Sequence, residues 1–311
     1  MPLTHFPKGI TSFGIPVLGA GDLFTTTGSV FFVDSGHAAA NNGENAANGP
    51  DRPFSTIDYA VGRCTANNGD LIIIMPGHVE TVSAAGGLDL DVAGITLVGL
   101  GSGNARPQIA FTTATTADMD VDAADIRMHN VRFTGGIDAL AAPIDVNAAR
   151  FHLSSWRWED GSALQPTDVV VADANADGLI LEDFVYEGDT AAGTNAAIAL
   201  TGCDDVVIRN FLMDGNFAVG GIDIRTTAVL DLQVYNGRFR TRNAADIFLI
   251  DTITGSTGMI GPQLYLRLQD NAANITEAIT GATFVVMDDV YVVNAANEKG
   301  LLINWVASAD L

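Results

Sequence analysis

Along most of this chain, apolar and polar residues alternate in short runs, and Gly, Asn or Asp breaks each run. Alternation at period two marks a strand with one buried face. From about residue 86 the runs fall into one recurring phrase. It has a first strand, a turn, a second strand, a small polar residue and a third strand. The clearest copies are DMDVDAADIRMHNVRF (118–133), PIDVNAARFHLSSWRW (143–158), DVVVADANADGLILEDFVY (168–186), AIALTGCDDVVIRNFLM (197–213) and GIDIRTTAVLDLQVYNGRF (221–239). The first-strand anchors Val121, Val146, Val171, Leu200 and Ile224 lie 24 to 29 residues apart. The position after the polar residue, Val131, Trp156, Phe184, Phe211 and Gly237, repeats every 25 to 28.

A unit of that length, with three strands and one buried face, cannot enclose a core alone. Stacked coils can, because each strand pairs with its equivalent one coil away and the inward side chains form columns. The predicted fold is therefore all-β: a single-stranded right-handed parallel β-helix, a solenoid with three faces. A sandwich needs regular turn signals but not a repeating phrase.

The residue before each third strand is Asn130, Ser155, Asp183, Asn210 or Asn236. Asn and Asp tolerate left-handed backbone and bond their own turns. Stacked at one corner, these five are expected to form a turn ladder; the alternative is that each suits its own turn separately. Trp156 and Trp158 sit two apart and so face one side. Their alignment with Phe184, Phe211, Phe133 and Tyr186 favours the core over an outward aromatic platform.

Residues 30–81 break the pattern. In PFSTIDYAV, Phe54, Ile57, Ala60 and Val61 fall on one helix face, with Ser55 as the expected cap and Asp58 in the first turn. A short helix there is expected to plug the open end of the solenoid, whose edges would otherwise stay unpaired. Residues 1–29 carry scattered large apolar residues without periodicity and are expected to form an extended arm. The expected division is an arm (1–29), a cap and first coil (30–81), and coils with a C-terminal cap (82–311).

Composition narrows the partners. The chain has 311 residues, 48% of them apolar, with 37 Asp and Glu against 15 Lys and Arg, giving a net charge of −22. Phosphate binding along a nucleic acid needs a basic stripe, so no nucleic-acid partner is expected. An anionic membrane surface is disfavoured for the same reason. No apolar stretch approaches the ~18 residues of a membrane span, and no secretory signal is visible in the first 30 residues. Cys64 and Cys203 are too few for a disulfide framework.

Groups that suggest chemistry are few. Asp118, Asp120 and Asp122 alternate with Met119 and Val121 and should point outward, either as calcium ligands or as a solvated strand face. The loop lacks the EF-hand pattern. GLGSG (99–103) follows a strand, but neither a helix nor Lys-Ser/Thr comes after it, so it reads as a turn. The histidines His5, His37, His78, His129 and His152 have no metal-ligand spacing, although His129 and His152 fall in neighbouring coils. No catalytic residue, metal or cofactor is predicted.

Two resemblances add to this. The string VDS…GPDRPFSTIDYAV…NNGDLIIIMPGHVET resembles the opening of right-handed β-helix proteins of the pectate-lyase-like superfamily. In those proteins a Pro-Phe-x-Thr-Ile-x-x-Ala helix caps the first coil. The segment LTHFPKGITSFGIPVLG is similar to the opening of virion structural proteins of tailed bacteriophages. Together they imply a capsid-attached decoration or cement protein on the virion surface, with the major capsid protein and further copies of itself, as a homotrimer, for partners. Leu3, Phe6, Phe13, Ile15 and Leu18 would make the capsid contact, and Ile303, Trp305 and Val306 the subunit interface. The superfamily also contains polysaccharide lyases and glycoside hydrolases. The alternative is therefore a tailspike-type glycan depolymerase, or a non-catalytic tail fibre or receptor-binding protein. Asp204-Asp205 is similar to the paired aspartates of polygalacturonases, but neither Gly-His-Gly nor Arg-Ile-Lys follows it. The pair fits an acidic turn at a coil corner better.

Overall fold

The structure, a computed structural model, describes residues 11–12, 15–16, 26, 28–43, 49–161, 163–189, 193–242, 248–268, 278–279, 283–287, 289–293 and 299–301. It is a parallel β-solenoid. First strands stack into an eight-stranded sheet built from Leu88–Asp89, Met119–Val121, Ile144–Val146, Asp168–Ala172, Thr194–Leu200, Phe217–Ile224, Leu249–Asp251 and Ala278–Ile279. Second and third strands belong to one seventeen-stranded sheet. In the middle coils they merge through the corner, as in Ile180–Glu187, Val207–Gly215 and Leu232–Thr241.

Coils pair in parallel at the spacing of the sequence phrase. Phe133 lies opposite Trp158, Trp158 opposite Tyr186, Tyr186 opposite Met213 and Met213 opposite Phe239. The inward columns fuse into one core from Val33 to Val292. Trp156 and Trp158 are both buried in it. Trp156, Phe184 and Phe211 stack face to face, with centroids 4.4 and 5.6 Å apart, and Phe248 extends the row 6.2 Å beyond Phe211.

One anchor is corrected. Val146 pairs with Ala172, and Ala172 with Leu200, so the inward column runs Val121, Val146, Ala172, Leu200, Ile224. Val171 sits opposite Asp145 and Ala199 and turns outward. The run Val169-Val170-Val171 has no alternation, so nothing in it marks the inward residue, and a one-residue slip exchanges the faces.

Before the coils, Val30–Val33 pairs in parallel with Leu71–Ile74. The helix Ile57–Val61 packs on these strands and on Leu88–Asp89, burying Ile57, Ala60 and Val61. Its cap is Thr56 rather than Ser55: the Thr56 side chain accepts from the Tyr59 N–H and its backbone is extended. The helix therefore starts at Ile57, and Phe54, expected on its buried face, lies before it in an extended bridge to Val33. Glu80 supplies a second acceptor to the helix start, 2.7 Å from the Ile57 N–H, and also meets His78 Nε2 at 3.0 Å. His78 Nδ1 accepts from the Ser35 N–H, which places the imidazole proton on Nε2, facing Glu80. This buried set ties the loop after Val33, the helix and the first third strand together.

Candidate functional site

The outer surface of the solenoid is built from corners and outward columns. At the corner before the third strands, Asn130, Ser155, Asp183, Asn210 and Asn236 all have left-handed backbone, with φ between 51° and 61°. Asn236 Nδ2 donates to Asn210 Oδ1 at 2.6 Å, and Asn210 Nδ2 to Asp183 Oδ1 at 2.9 Å. The side-chain chain stops there. Asn130 turns instead to the preceding loop, donating to the carbonyls of Gly99 and Gly101. Gln263, with φ 60°, continues the column and was missed by the sequence reading. Gln lacks the turn preference of Asn and Asp, so only its place just before the alternating run Leu264-Tyr265-Leu266-Arg267 marks it.

A second left-handed column stands before the second strands, at the coil corner expected for Asp204-Asp205: Gly94, Asp125, Arg150, Gly178, Asp205 and Asp231. Each N–H here bonds to the next coil, as Asp205 N does to Leu230 O at 2.9 Å. The Asp204-Asp205 pair lies in this corner. The Asp204 N–H donates to Asp177 Oδ1, and Asp204 Oδ1 accepts from the Leu230 N–H, both at 2.8 Å.

The first-strand face is acidic. Asp89, Asp120 and Asp145 stand in register on successive coils. Burial, then Asp118, Asp145, Asp122 and Asp89, push the Asp120 carboxyl up to about 6. Asp118 accepts the Gly86 N–H and Asp122 the Asn147 side chain. Among the described residues, no group of three or more acidic, His or Cys side chains is placed to hold a metal ion.

Further along this face, Arg225 reaches back two coils. Its two Nη atoms bond both oxygens of Asp168 at 2.7 and 2.8 Å, and its Nε bonds Asp223. Asp168 also accepts the Ala196 N–H. These hydrogen bonds hold the Arg225 proton more tightly than usual. No sequence signal joins residues 57 apart.

On the second-strand face, His129 Nδ1 meets Ser154 Oγ at 2.9 Å, while His152 Nε2 meets Glu182 at 2.6 Å. Glu182 is shared with Arg209, whose Nη1 donates to the Tyr235 hydroxyl at 3.1 Å. Burial first, and then Arg106, lowers the proton affinity of His129. The two histidines therefore engage different partners. They form no common site.

Leu3, Phe6, Phe13, Leu18, Ile303, Trp305 and Val306 lie outside the described residues. Ile15 belongs to the strand Ile15–Pro16, which pairs antiparallel with Thr11–Ser12. No protein-family model, curated protein or solved structure matches the chain.

Proposed function

We propose that the chain is a structural protein of a tailed-phage virion, a decoration or cement protein held on the capsid surface. The observation that carries this reading is the corner built around Asp177, Asp204 and Leu230. Of the pair most like a hydrolase's, Asp204 accepts the Leu230 N–H with its carboxylate, the neighbouring Asp177 accepts the Asp204 N–H, and both bonds hold adjacent coils together. Carboxylates used this way serve rigidity. In this reading the helix Ile57–Val61 closes one end of the rod. The segment 1–29 binds the major capsid protein through Leu3, Phe6, Phe13, Ile15 and Leu18. Ile303, Trp305 and Val306 join three copies. The pectate-lyase-like and phage resemblances of the sequence support the assignment.

The test is to image purified particles and to repeat the binding with residues 2–24 deleted. Density for the rod on the shell, lost with the deletion, is the expected result. Density on the tail, or undiminished binding by the truncated protein, overturns it.

A second reading, a tailspike-type glycan depolymerase, draws on Asp120, which shares the acidic face with Asp145 and whose carboxyl is raised to about 6. Glycoside hydrolysis uses a carboxyl that keeps its proton as general acid beside a second carboxyl, and burial raises both Asp120 and Asp145. Release of shortened glycan by the protein, lost in Asp120→Asn, would establish that reading in place of the first.

A further inference from the structure

Positive charge is scarce in this chain and unevenly placed. Five of its thirteen arginines, Arg132, Arg157, Arg238, Arg240 and Arg267, lie on third strands. Arg106 joins that face from just before the strand Gln108–Phe111, where Pro107, Ile109 and Phe111 are buried and Arg106, Gln108 and Ala110 alternate outward. Arg132 begins the next third strand, in register with Gln108 on one side and Arg157 on the other. Strands one coil apart are separated by about 4.8 Å, so Arg106, Arg132 and Arg157 crowd into one small area.

Arg157 is neutralised there by Glu159 at 2.7 Å and Glu187 at 2.5 Å. Arg106 and Arg132 are not. Among the described residues neither forms an ion pair with a carboxylate, although acidic residues outnumber basic ones 37 to 15. Arg132 is oriented by a neutral group, the side-chain oxygen of Gln108, which is itself fixed by a 2.8 Å bond from its amide to Thr134 Oγ1. The Nε atoms of Arg106, Arg132, Arg157 and Arg240 are all buried without a well-aligned acceptor, but of these four only Arg106 and Arg132 also lack a carboxylate within ion-pair distance. Leaving a charged donor buried and unpaired is costly, and doing so at two adjacent like charges more so. Burial and the two neighbouring guanidinium groups weaken the hold of Arg106 on its proton.

We propose that Arg106 and Arg132 form a binding site for a multiply charged oxyanion, phosphate or sulfate. Two guanidinium groups from successive coils present more donors than one carboxylate can satisfy. A tetrahedral anion offers oxygens to both and neutralises both. The anion can be free or carried as an ester on a polymer. The site stands on the side away from the acidic column of Asp89, Asp120 and Asp145, which would repel it.

The experiment measures thermal unfolding of the full chain against sodium phosphate and sodium sulfate, with sodium chloride at matched ionic strength as reference. Both anions also stabilise proteins by exclusion from the surface, so the quantity read is the saturable difference between wild type and variant. Arg106→Gln, which gives up no side-chain hydrogen bond of the fold, should weaken binding at least tenfold, about what one charged hydrogen bond contributes. Arg132→Gln should do the same. Arg127→Gln, an outward arginine on a second strand, should leave it unchanged. A parallel arm with dextran sulfate against plain dextran separates the sources. Saturable binding of the inorganic ions supports a free anion, and binding of dextran sulfate alone supports a polymer ester. Absence of a saturable response to any of them, or a response that Arg106→Gln leaves intact, overturns the proposal.

Discussion

The ring of Phe211 fills the space that a side chain at Gly237 would need: a Cβ built on Gly237 falls 2.3 Å from the ring. The two residues are register partners on adjacent coils. The aromatic row that starts at Trp156 can pass Phe211 toward Phe248 because the intervening coil contributes no side chain. Gly237→Ala should therefore destabilise the fold by about 1–3 kcal/mol through overpacking, and Phe211→Ala by about 3–5 kcal/mol through cavity formation. In the double variant the alanine at 237 should cost much less than it does alone. Urea unfolding of the four proteins measures the coupling, and strict additivity would contradict the geometry.

The corner ladder can be separated from corner strain. Asn210 has φ 55°, accepts from Asn236 and donates to Asp183. Asn210→Gly keeps the left-handed backbone and loses only the side-chain bonds, so about 1 kcal/mol should disappear. Asn210→Ala adds the left-handed penalty of about 1–2 kcal/mol. Chemical denaturation should rank wild type above glycine and glycine above alanine. Equal losses would mean that the hydrogen bonds contribute everything.

The acidic face predicts an unusual pH response. Burial and neighbouring carboxylates raise Asp120 to about 6. A carboxyl raised in the folded state binds its proton more tightly than the unfolded chain does. Its contribution to stability is complete below about pH 4 and is lost as pH rises through about 6. Asp120→Asn should thus be more stable than wild type at pH 7.5 and indistinguishable from it near pH 4. Because Asp120 is partly exposed, solvent screening holds the gain to about 1 kcal/mol or less. Melting temperatures at the two pH values, at one ionic strength, decide the matter.

The Arg225 bridge joins coils that are not neighbours. Asp168 and Asp223 are both buried beneath it. Arg225→Met strands two carboxylates and should cost about 2–4 kcal/mol. Arg225→Lys should recover only part of this, since one ammonium cannot reproduce a bidentate contact plus a third bond. A loss below about 0.5 kcal/mol for the methionine variant would show that water replaces the arginine without penalty.

The repeating phrase made the three faces and the Trp156–Phe184–Phe211–Gly237 column readable, because period and alternation are local properties of the chain. The left-handed corner before the third strands was readable for a similar reason, since Asn and Asp favour that backbone. Arg150 and Gln263 occupy equivalent backbone states without that preference, and composition alone passes over them. Val171 was misplaced because three consecutive valines carry no phase. The Arg225–Asp168 contact and the unpaired Arg106 and Arg132 depend on which columns the coils bring together. That is settled only once the register is known.

The strand Lys299–Leu301 lies antiparallel on Val290–Val293, at the edge of the parallel stack. A parallel coil end is a template, because the next coil of any copy could dock on it with the spacing it already uses. Antiparallel pairing spaces its hydrogen bonds differently. A copy approaching with the solenoid's own parallel coil would find that edge already taken by a strand of the opposite sense. The reversed strand therefore removes from Val290–Val293 the parallel template that every other coil of this self-similar stack offers to the next.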